Sequence, residues 1–92
     1  MEKVRAHLII RGRVQGVFFR SFTQKTASLL GVNGWVRNLY DGSVEAVFEG
    51  DKPSVEEAVN KCRTGPYGAH VEDVKVEWQP WSGEFRGFSV RY

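Results

Sequence analysis

A glycine-punctuated stretch that ends in an arginine, Gly12 to Arg20, has the clearest chemical potential in this sequence. Gly12 and Gly16 can adopt backbone angles closed to other residues, so the chain can curl and turn successive N–H groups inward. Arg20 adds a permanently charged, bidentate guanidinium at the mouth of that curl. Amides and a guanidinium that converge in this way attract anions. The stretch therefore predicts a cradle for a phosphate-sized anion.

Sequence periodicity predicts the elements on either side of the cradle. Before it, apolar and polar residues alternate from Val4 to Ile10, which is typical of a half-buried strand. After it, Ser21 and Gln24 have the spacing of a capping box, which predicts a helix that begins there and ends at Gly31. The apolar face of this helix is expected to consist of Phe22, Thr26, Leu29 and Leu30. The helix N-terminus would then follow Arg20 directly and add partial positive charge to the cradle.

The rest of the chain reads as two strands, a second helix and two further strands. Strands are predicted over residues 33–39 and 43–49, joined by a tight turn at Asp41-Gly42. Pro53 begins a second helix, in which Cys62 lies on an apolar stripe and is interpreted as core filling rather than as a nucleophile. Residues 71–78 and 88–92 suggest the last two strands. His7 falls on the polar side of the first strand and is interpreted as a solvated sheet residue.

This element order predicts an α+β fold, the ferredoxin-like βαββαβ sandwich, with an antiparallel sheet, two helices on one face and a short extra C-terminal strand. A right-handed crossover makes the first two strands parallel, with the third antiparallel between them. The carboxyl ends of the first two strands then lie at one edge, which brings Asn38 beside the cradle. From its position alone, Asn38 is also the kind of turn asparagine that bonds its own backbone.

Composition places the chain among ordinary cytoplasmic proteins. Its 92 residues make one domain, residues 1–92, with 41% hydrophobic and 26% charged residues. A net charge of +2 does not indicate a nucleic acid or a membrane surface as a partner. A single cysteine fits a reducing compartment, and no apolar run approaches the ~20 residues that span a bilayer. The expectation is a cytoplasmic monomer.

Two motifs in this chain closely resemble signatures of the acylphosphatase family. Residues 12–20, GRVQGVFFR, resemble its phosphate-loop signature, and residues 34–50 resemble its second signature through GWVRN at 34–38, GSV at 42–44 and Gly50. The resemblance implies hydrolysis of the carboxyl–phosphate anhydride of acyl phosphates to a carboxylate and inorganic phosphate, without a cofactor or metal. It also implies that Arg20 binds the phosphate together with the loop amides, and that Asn38 holds the attacking water. The loop residues concerned are Arg13, Val14, Gln15, Gly16, Val17, Phe18 and Phe19.

The residue types of the two motifs suit this reaction. They include no partnered serine or cysteine nucleophile and no cluster of residues at metal-ligand spacing, and their only acidic side chains lie in the hairpin around Asp41. What remains can position a phosphoryl group, stabilise its charge and orient a water. Such a site is sufficient when the leaving group needs no proton, as with a carboxylate whose conjugate acid has a pKa of about 4.

Two alternatives use the same fold differently. The first is a non-catalytic phosphate-binding module, against which the intact Arg20 and Asn38 weigh. The second is an RNA-binding module, because Arg86-Gly87-Phe88 is similar to the beginning of the main motif of RNA-recognition domains. That motif lacks its second aromatic residue here and falls on the last strand. Exposed Trp78 or Trp81 is expected to pack against the open sheet face or a loop.

Overall fold

The computed structural model describes all residues from 1 to 92. Its five strands are β1 (Lys3–Arg13), β2 (Asn33–Asn38), β3 (Val44–Asp51), β4 (His70–Gln79) and β5 (Phe88–Val90). Its two helices are α1 (Phe19–Leu30) and α2 (Lys52–Thr64). Neither helix combines the length and the apolar composition that a membrane-spanning helix requires.

The sheet has the strand order β4-β1-β3-β2-β5. β1 pairs antiparallel with β3 and β4, and β3 pairs antiparallel with β2, so β1 and β2 run parallel as predicted. The extra strand β5 pairs in parallel with β2, which makes the sheet mixed rather than wholly antiparallel. The ferredoxin-like prediction is confirmed, and β5 adds a wall beside the end of β2.

One face of the sheet and both helices share a single core. Ala6, Leu8 and Ile10 of β1 are fully buried and belong to one cluster with Phe19 of α1 and Val55 of α2. The alternation of β1 therefore assigned its inner face correctly. Cys62 also lies in this cluster, and burial raises the pKa of its thiol to about 12, which confirms its interpretation as core filling.

The prediction for α1 was wrong at its beginning and in its buried face. The helix begins at Phe19, after Phe18, and no side chain caps it, so Ser21 lies inside the first turn. Its buried residues are Phe19, Thr23 and Ala27, whereas Leu29 is 79% exposed. Phe19 enters the core and fixes this face, on which the Thr23 hydroxyl is satisfied by donating to the Phe19 carbonyl at 2.8 Å.

The opposite face of the sheet is crossed by the segment that joins β4 to β5. Glu49 of β3, which is 1% exposed, accepts hydrogen bonds from the Ser82 amide and hydroxyl, the Gly83 amide and the Arg5 guanidinium, at 2.8 to 3.1 Å. Burial opposes ionisation of this carboxyl, but these bonds outweigh it and lower its pKa. Glu49 therefore anchors the segment that brings β5 to the far edge of the sheet.

The open face does not have the aromatic platform of an RNA-recognition domain. Polar contacts cover much of it, including the hydrogen bond between His7 and Glu45 at 2.7 Å and the ion pair between Arg37 and Glu45 at 2.6 Å. Trp78 shares the helix-facing side of the sheet with Ala6, its partner in β1, so the expectation that it packs on the open face or a loop was wrong. Trp81 lies over Gly83 within its own loop, which agrees with that expectation. Trp35 of β2 does lie on the open face, but the Arg37 and Arg91 guanidinium groups lie over its ring, with Cζ atoms 5.4 and 4.6 Å from the ring centre, where a base would stack.

Candidate active site

The cradle is the five-residue connection between β1 and α1, residues 14–18. Gly12 lies outside it, in β1, where the register with β4 shifts; a Cβ there would meet the His70 carbonyl at 2.2 Å. Gly12 therefore serves strand packing rather than the curl predicted from sequence. Gly16 has φ +73° with open space around it, so the backbone conformation itself requires glycine there.

Phe18 adopts a left-handed backbone conformation at the end of the cradle. It is the one non-glycine residue with a positive φ, 63°, and it is 83% exposed, whereas Phe19 is 2% exposed. A non-glycine residue in this region costs on the order of 1–3 kcal/mol, and such strain persists where the surrounding structure enforces it. Burial of Phe19 in the core provides that enforcement and turns the chain into α1.

The amides of the cradle are free of backbone partners. None of the N–H groups of residues 15–18 donates to a backbone carbonyl. The first N–H groups of α1 likewise have no intrahelical acceptor, and the helix dipole adds partial positive charge at this end. These donors lie at the exposed end of the sheet, where an anion can accept their hydrogen bonds.

Gln15 connects the cradle to the β2–β3 hairpin. Its side-chain amide donates to the carbonyls of Leu39 and Ser43, at 2.8 Å in each case. The side chain therefore points away from the cradle interior and fixes the distance between the cradle and the end of β2. The sequence offered no sign of this clamp, because its acceptors are backbone carbonyls in a turn.

Arg20 is the second residue of α1 and carries a positive charge without a carboxylate partner. Ion pairs engage Lys3, Arg5, Arg11, Arg37 and Lys52, but no acid lies within 4.0 Å of the Arg20 guanidinium. Its Cζ lies 4.7 Å from the centre of the Tyr92 ring. The guanidinium N–H groups are therefore available to an anion.

Asn38 is the last residue of β2 and does not behave as an ordinary turn asparagine. Its side chain makes no hydrogen bond to the hairpin, which Asp41 holds instead by accepting from the Ser43 amide and hydroxyl. Those bonds lower the pKa of Asp41. The alternative interpretation of Asn38 was therefore wrong, and its amide is free to face the neighbouring cavity.

Arg20 and Asn38 line one cavity of about 640 Å³. Three cradle residues and Phe19 of α1 also line it, and four residues from β5 and the segment after it form the opposite wall: Val14, Gly16, Phe18, Phe19, Phe88, Ser89, Val90 and Tyr92. No histidine, cysteine, aspartate or glutamate side chain borders this space. The cavity thus offers positive charge, amides and hydroxyls, but no group that titrates near neutral pH.

Three residues predicted for the phosphate loop do not line this cavity. Arg13 ends β1 and is exposed, Gln15 faces the hairpin, and Val17 packs partly buried against the core. Tyr92 and Ser89 were missed by the sequence reasoning, since only the parallel pairing of β5 with β2 brings them here. No group of three or more histidine, cysteine, aspartate or glutamate residues is arranged to hold a metal ion.

Comparisons with known proteins agree with this fold and its two motifs. The Acylphosphatase family model matches residues 6–90. The chain is 52% identical to an acylphosphatase of Pelotomaculum thermopropionicum over the full length of both chains. It is 58% identical to one of Rubrobacter xylanophilus over 87 residues, which cover 95% of this chain and 79% of that one.

A solved structure, the crystal structure of acylphosphatase from Bacillus subtilis, superposes with a TM-score of 0.93 and 34% identity, and covers 97% of this chain and 99% of that one. The family model and these relatives span nearly every residue described above, including the cradle and the end of β2. The chain belongs to the acylphosphatase family.

Proposed function

We propose that the protein hydrolyses acyl phosphates to a carboxylate and inorganic phosphate, by attack of water on a phosphate held in the cradle. The observation that carries this proposal is that the residues expected to bind phosphate and to hold water line one cavity. The unpaired Arg20 guanidinium, Asn38 and the cradle residues Gly16 and Phe18, whose amides have no backbone partner, line it together, and no histidine or acidic side chain does. Family membership assigns the same activity.

Binding of the substrate uses charge and fixed donors. The phosphoryl oxygens accept from the N–H groups of residues 15–18 and bidentately from Arg20. Because these donors are preorganised by the Gly16 and Phe18 conformations, they stabilise charge on the equatorial oxygens in the transition state without a large rearrangement.

The attacking water is held by Asn38. Its side-chain carbonyl can accept a hydrogen bond from the water, and its amide N–H can donate to a phosphoryl oxygen. Gln15 sets the separation of Asn38 from the cradle through its two bonds to the hairpin. Since no histidine, aspartate or glutamate side chain lines the cavity to accept it, the water's proton passes to a phosphate oxygen of the substrate.

The leaving group determines which substrates react. An acyl phosphate releases a carboxylate, whose conjugate acid has a pKa of about 4, so departure needs no general acid. A phosphate ester would release a far more basic alkoxide, and no histidine or acidic side chain lines the cavity to protonate it. The site therefore suits anhydrides of carboxylic and phosphoric acids.

The partner is a small molecule, and we propose that the protein acts as a cytoplasmic monomer without a nucleic acid or membrane partner. A net charge of +2 and a single, buried cysteine support this. Light scattering at micromolar concentration is expected to give a mass near 10.5 kDa, and a dimer mass would refute the monomer.

The direct test of the function is hydrolysis of an aryl acyl phosphate in ¹⁸O-labelled water. Attack at phosphorus places the label in inorganic phosphate, and attack at the acyl carbon places it in the carboxylate. We expect the label in phosphate, with one carboxylate released per phosphate. Arg20→Ala should lower kcat/KM by roughly two to four orders of magnitude, whereas replacement of Arg63, an exposed arginine of α2, by alanine should leave it unchanged. Phosphate binding without turnover would make the protein a non-catalytic phosphate-binding module.

A further inference from the structure

We infer that Tyr92 is a positioning residue, whose ring holds the Arg20 guanidinium in the orientation that receives the phosphate. This inference rests on the proposed function and adds a residue to its site. The ring centre of Tyr92 lies 4.7 Å from Cζ of Arg20, and both residues border the cavity of about 640 Å³. An arginine within about 6 Å of a ring centre is attracted by the negative face of the aromatic system.

The chemistry of this contact suits an anion site better than an ion pair would. A carboxylate beside Arg20 would neutralise its charge and occupy the N–H groups that a phosphate needs. An aromatic face carries no net charge, and it attracts the cation without accepting its N–H groups in the guanidinium plane. Arg20 has no other charged or hydrogen-bonded side-chain partner in the structure, so Tyr92 is the group that restricts its orientation.

The position of the ring is fixed by the residue before it. The Arg91 amide donates to the Val36 carbonyl of β2 at 2.8 Å, which extends the pairing of β5 beyond Val90. The Arg91 guanidinium lies over the Trp35 ring, with Cζ 4.6 Å from the ring centre. One backbone bond and one side-chain contact thus hold Arg91, and the next residue is directed toward Arg20.

Tyr92 also borders two neighbouring cavities, both of which Asn38 lines. It borders the Arg20 cavity and a second cavity of about 480 Å³, which Asn38, Gln15 and Tyr40 also line. Its side chain makes no hydrogen bond and is exposed to solvent, so the ring face and not the hydroxyl makes the contact with Arg20. Phenylalanine at this position should therefore preserve the effect, and an aliphatic residue should not.

The contact can be measured without activity. In a ¹⁵N-resolved NMR spectrum, a guanidinium over an aromatic face has its Nε–H proton shifted upfield by the ring current. We expect this shift for Arg20 in the wild type and in Tyr92→Phe, and its loss in Tyr92→Leu. Tyr67→Leu, which removes another exposed tyrosine from a turn outside the cavity, should leave the Arg20 signal unchanged.

The functional readout is inhibition by inorganic phosphate, measured together with kcat and KM for an aryl acyl phosphate. Tyr92→Leu should weaken phosphate inhibition and raise KM by about two- to fivefold, the range of an exposed cation–π contact. Tyr92→Phe and Tyr67→Leu should match the wild type. Unchanged phosphate inhibition in Tyr92→Leu, or a defect in Tyr92→Phe equal to that in Tyr92→Leu, would overturn the inference.

Failure of the inference can be distinguished from failure of the proposed function. A wild-type protein that neither binds phosphate nor hydrolyses an acyl phosphate would refute the function, and the positioning role with it. A wild-type protein that does both, with no response to Tyr92→Leu, would refute only the role of Tyr92. An Arg20 Nε–H signal that is the same in wild type and Tyr92→Leu would refute the contact itself.

Discussion

Replacement of Arg20 by lysine separates a requirement for positive charge from a requirement for a planar, bidentate donor. The guanidinium has no carboxylate partner, so its removal leaves no buried charge unpaired, and the free energy of unfolding should change by less than about 1 kcal/mol. The effect should therefore appear almost entirely in phosphate recognition. This makes Arg20 a clean position for kinetic measurement.

The magnitude follows from the bonds that Arg20 can donate. Each hydrogen bond between charged groups contributes about 1.5–3 kcal/mol, and a bidentate pair about 3–6 kcal/mol. Arg20→Ala should thus lower kcat/KM by roughly two to four orders of magnitude. Lysine can donate as a point charge but cannot reproduce the planar fork, so Arg20→Lys should be nearly as defective as Arg20→Ala.

The assay is steady-state hydrolysis of an aryl acyl phosphate, with phosphate inhibition constants and thermal unfolding of each variant. Arg63→Lys and Arg63→Ala are matched controls, because Arg63 is an exposed arginine near the end of α2. If Arg20→Lys keeps most of the wild-type kcat/KM while it folds normally, charge alone is sufficient and the bidentate role of Arg20 is wrong.

Three further predictions concern water, metal and acid stability. Asn38→Ala should lower kcat strongly and leave phosphate inhibition near wild type, whereas the exposed control Asn60→Ala should change neither; weaker phosphate inhibition would place Asn38 in the binding shell. Activity should survive exhaustive chelation, since no suitable cluster of ligands exists, and loss restored by a divalent ion would contradict this. Hydrogen bonds lower the pKa of Glu49, so its stabilising contribution is present above its unfolded pKa of about 4.3 and is lost as the pH falls through the pKa of the folded state. The free energy of unfolding of Glu49→Gln should therefore depend less steeply on pH in acid. An unchanged pH dependence would exclude a stabilising role for the hydrogen bonds to Glu49.

The fold could be predicted because its signals are periodic and local. Alternation in β1 assigned Ala6, Leu8 and Ile10 to the core, and the stripe containing Cys62 assigned the buried face of α2. The beginning of α1 could not be predicted from Ser21, because burial of Phe19 and the left-handed Phe18 start the helix earlier. Tertiary packing overrode a favourable local cap there.

Part of the site could be predicted from the order and direction of the strands. Topology alone brought Asn38 to the edge where the cradle lies, and the cavity contains both Asn38 and Arg20. The assignment of Gly12 to the curl was wrong because its close contact with β4 is a long-range feature. Gln15 as a clamp and Tyr92 as a wall depend on the hairpin carbonyls and on the parallel pairing of β5, which leave no pattern in the sequence.

The dependence of rate on leaving-group basicity tests the central claim most directly, because the cavity stabilises phosphoryl charge and has no histidine or acidic side chain to protonate a leaving group. A series of acyl, aryl and alkyl phosphates should give kcat values that fall steeply as the pKa of the leaving group rises. Alkyl phosphates, whose leaving groups are about ten pKa units more basic than a carboxylate, should be inert yet inhibit competitively, since they share the phosphate. Comparable turnover of an alkyl phosphate and an acyl phosphate would contradict the account, because it would require protonation of the leaving group by a general acid of the enzyme.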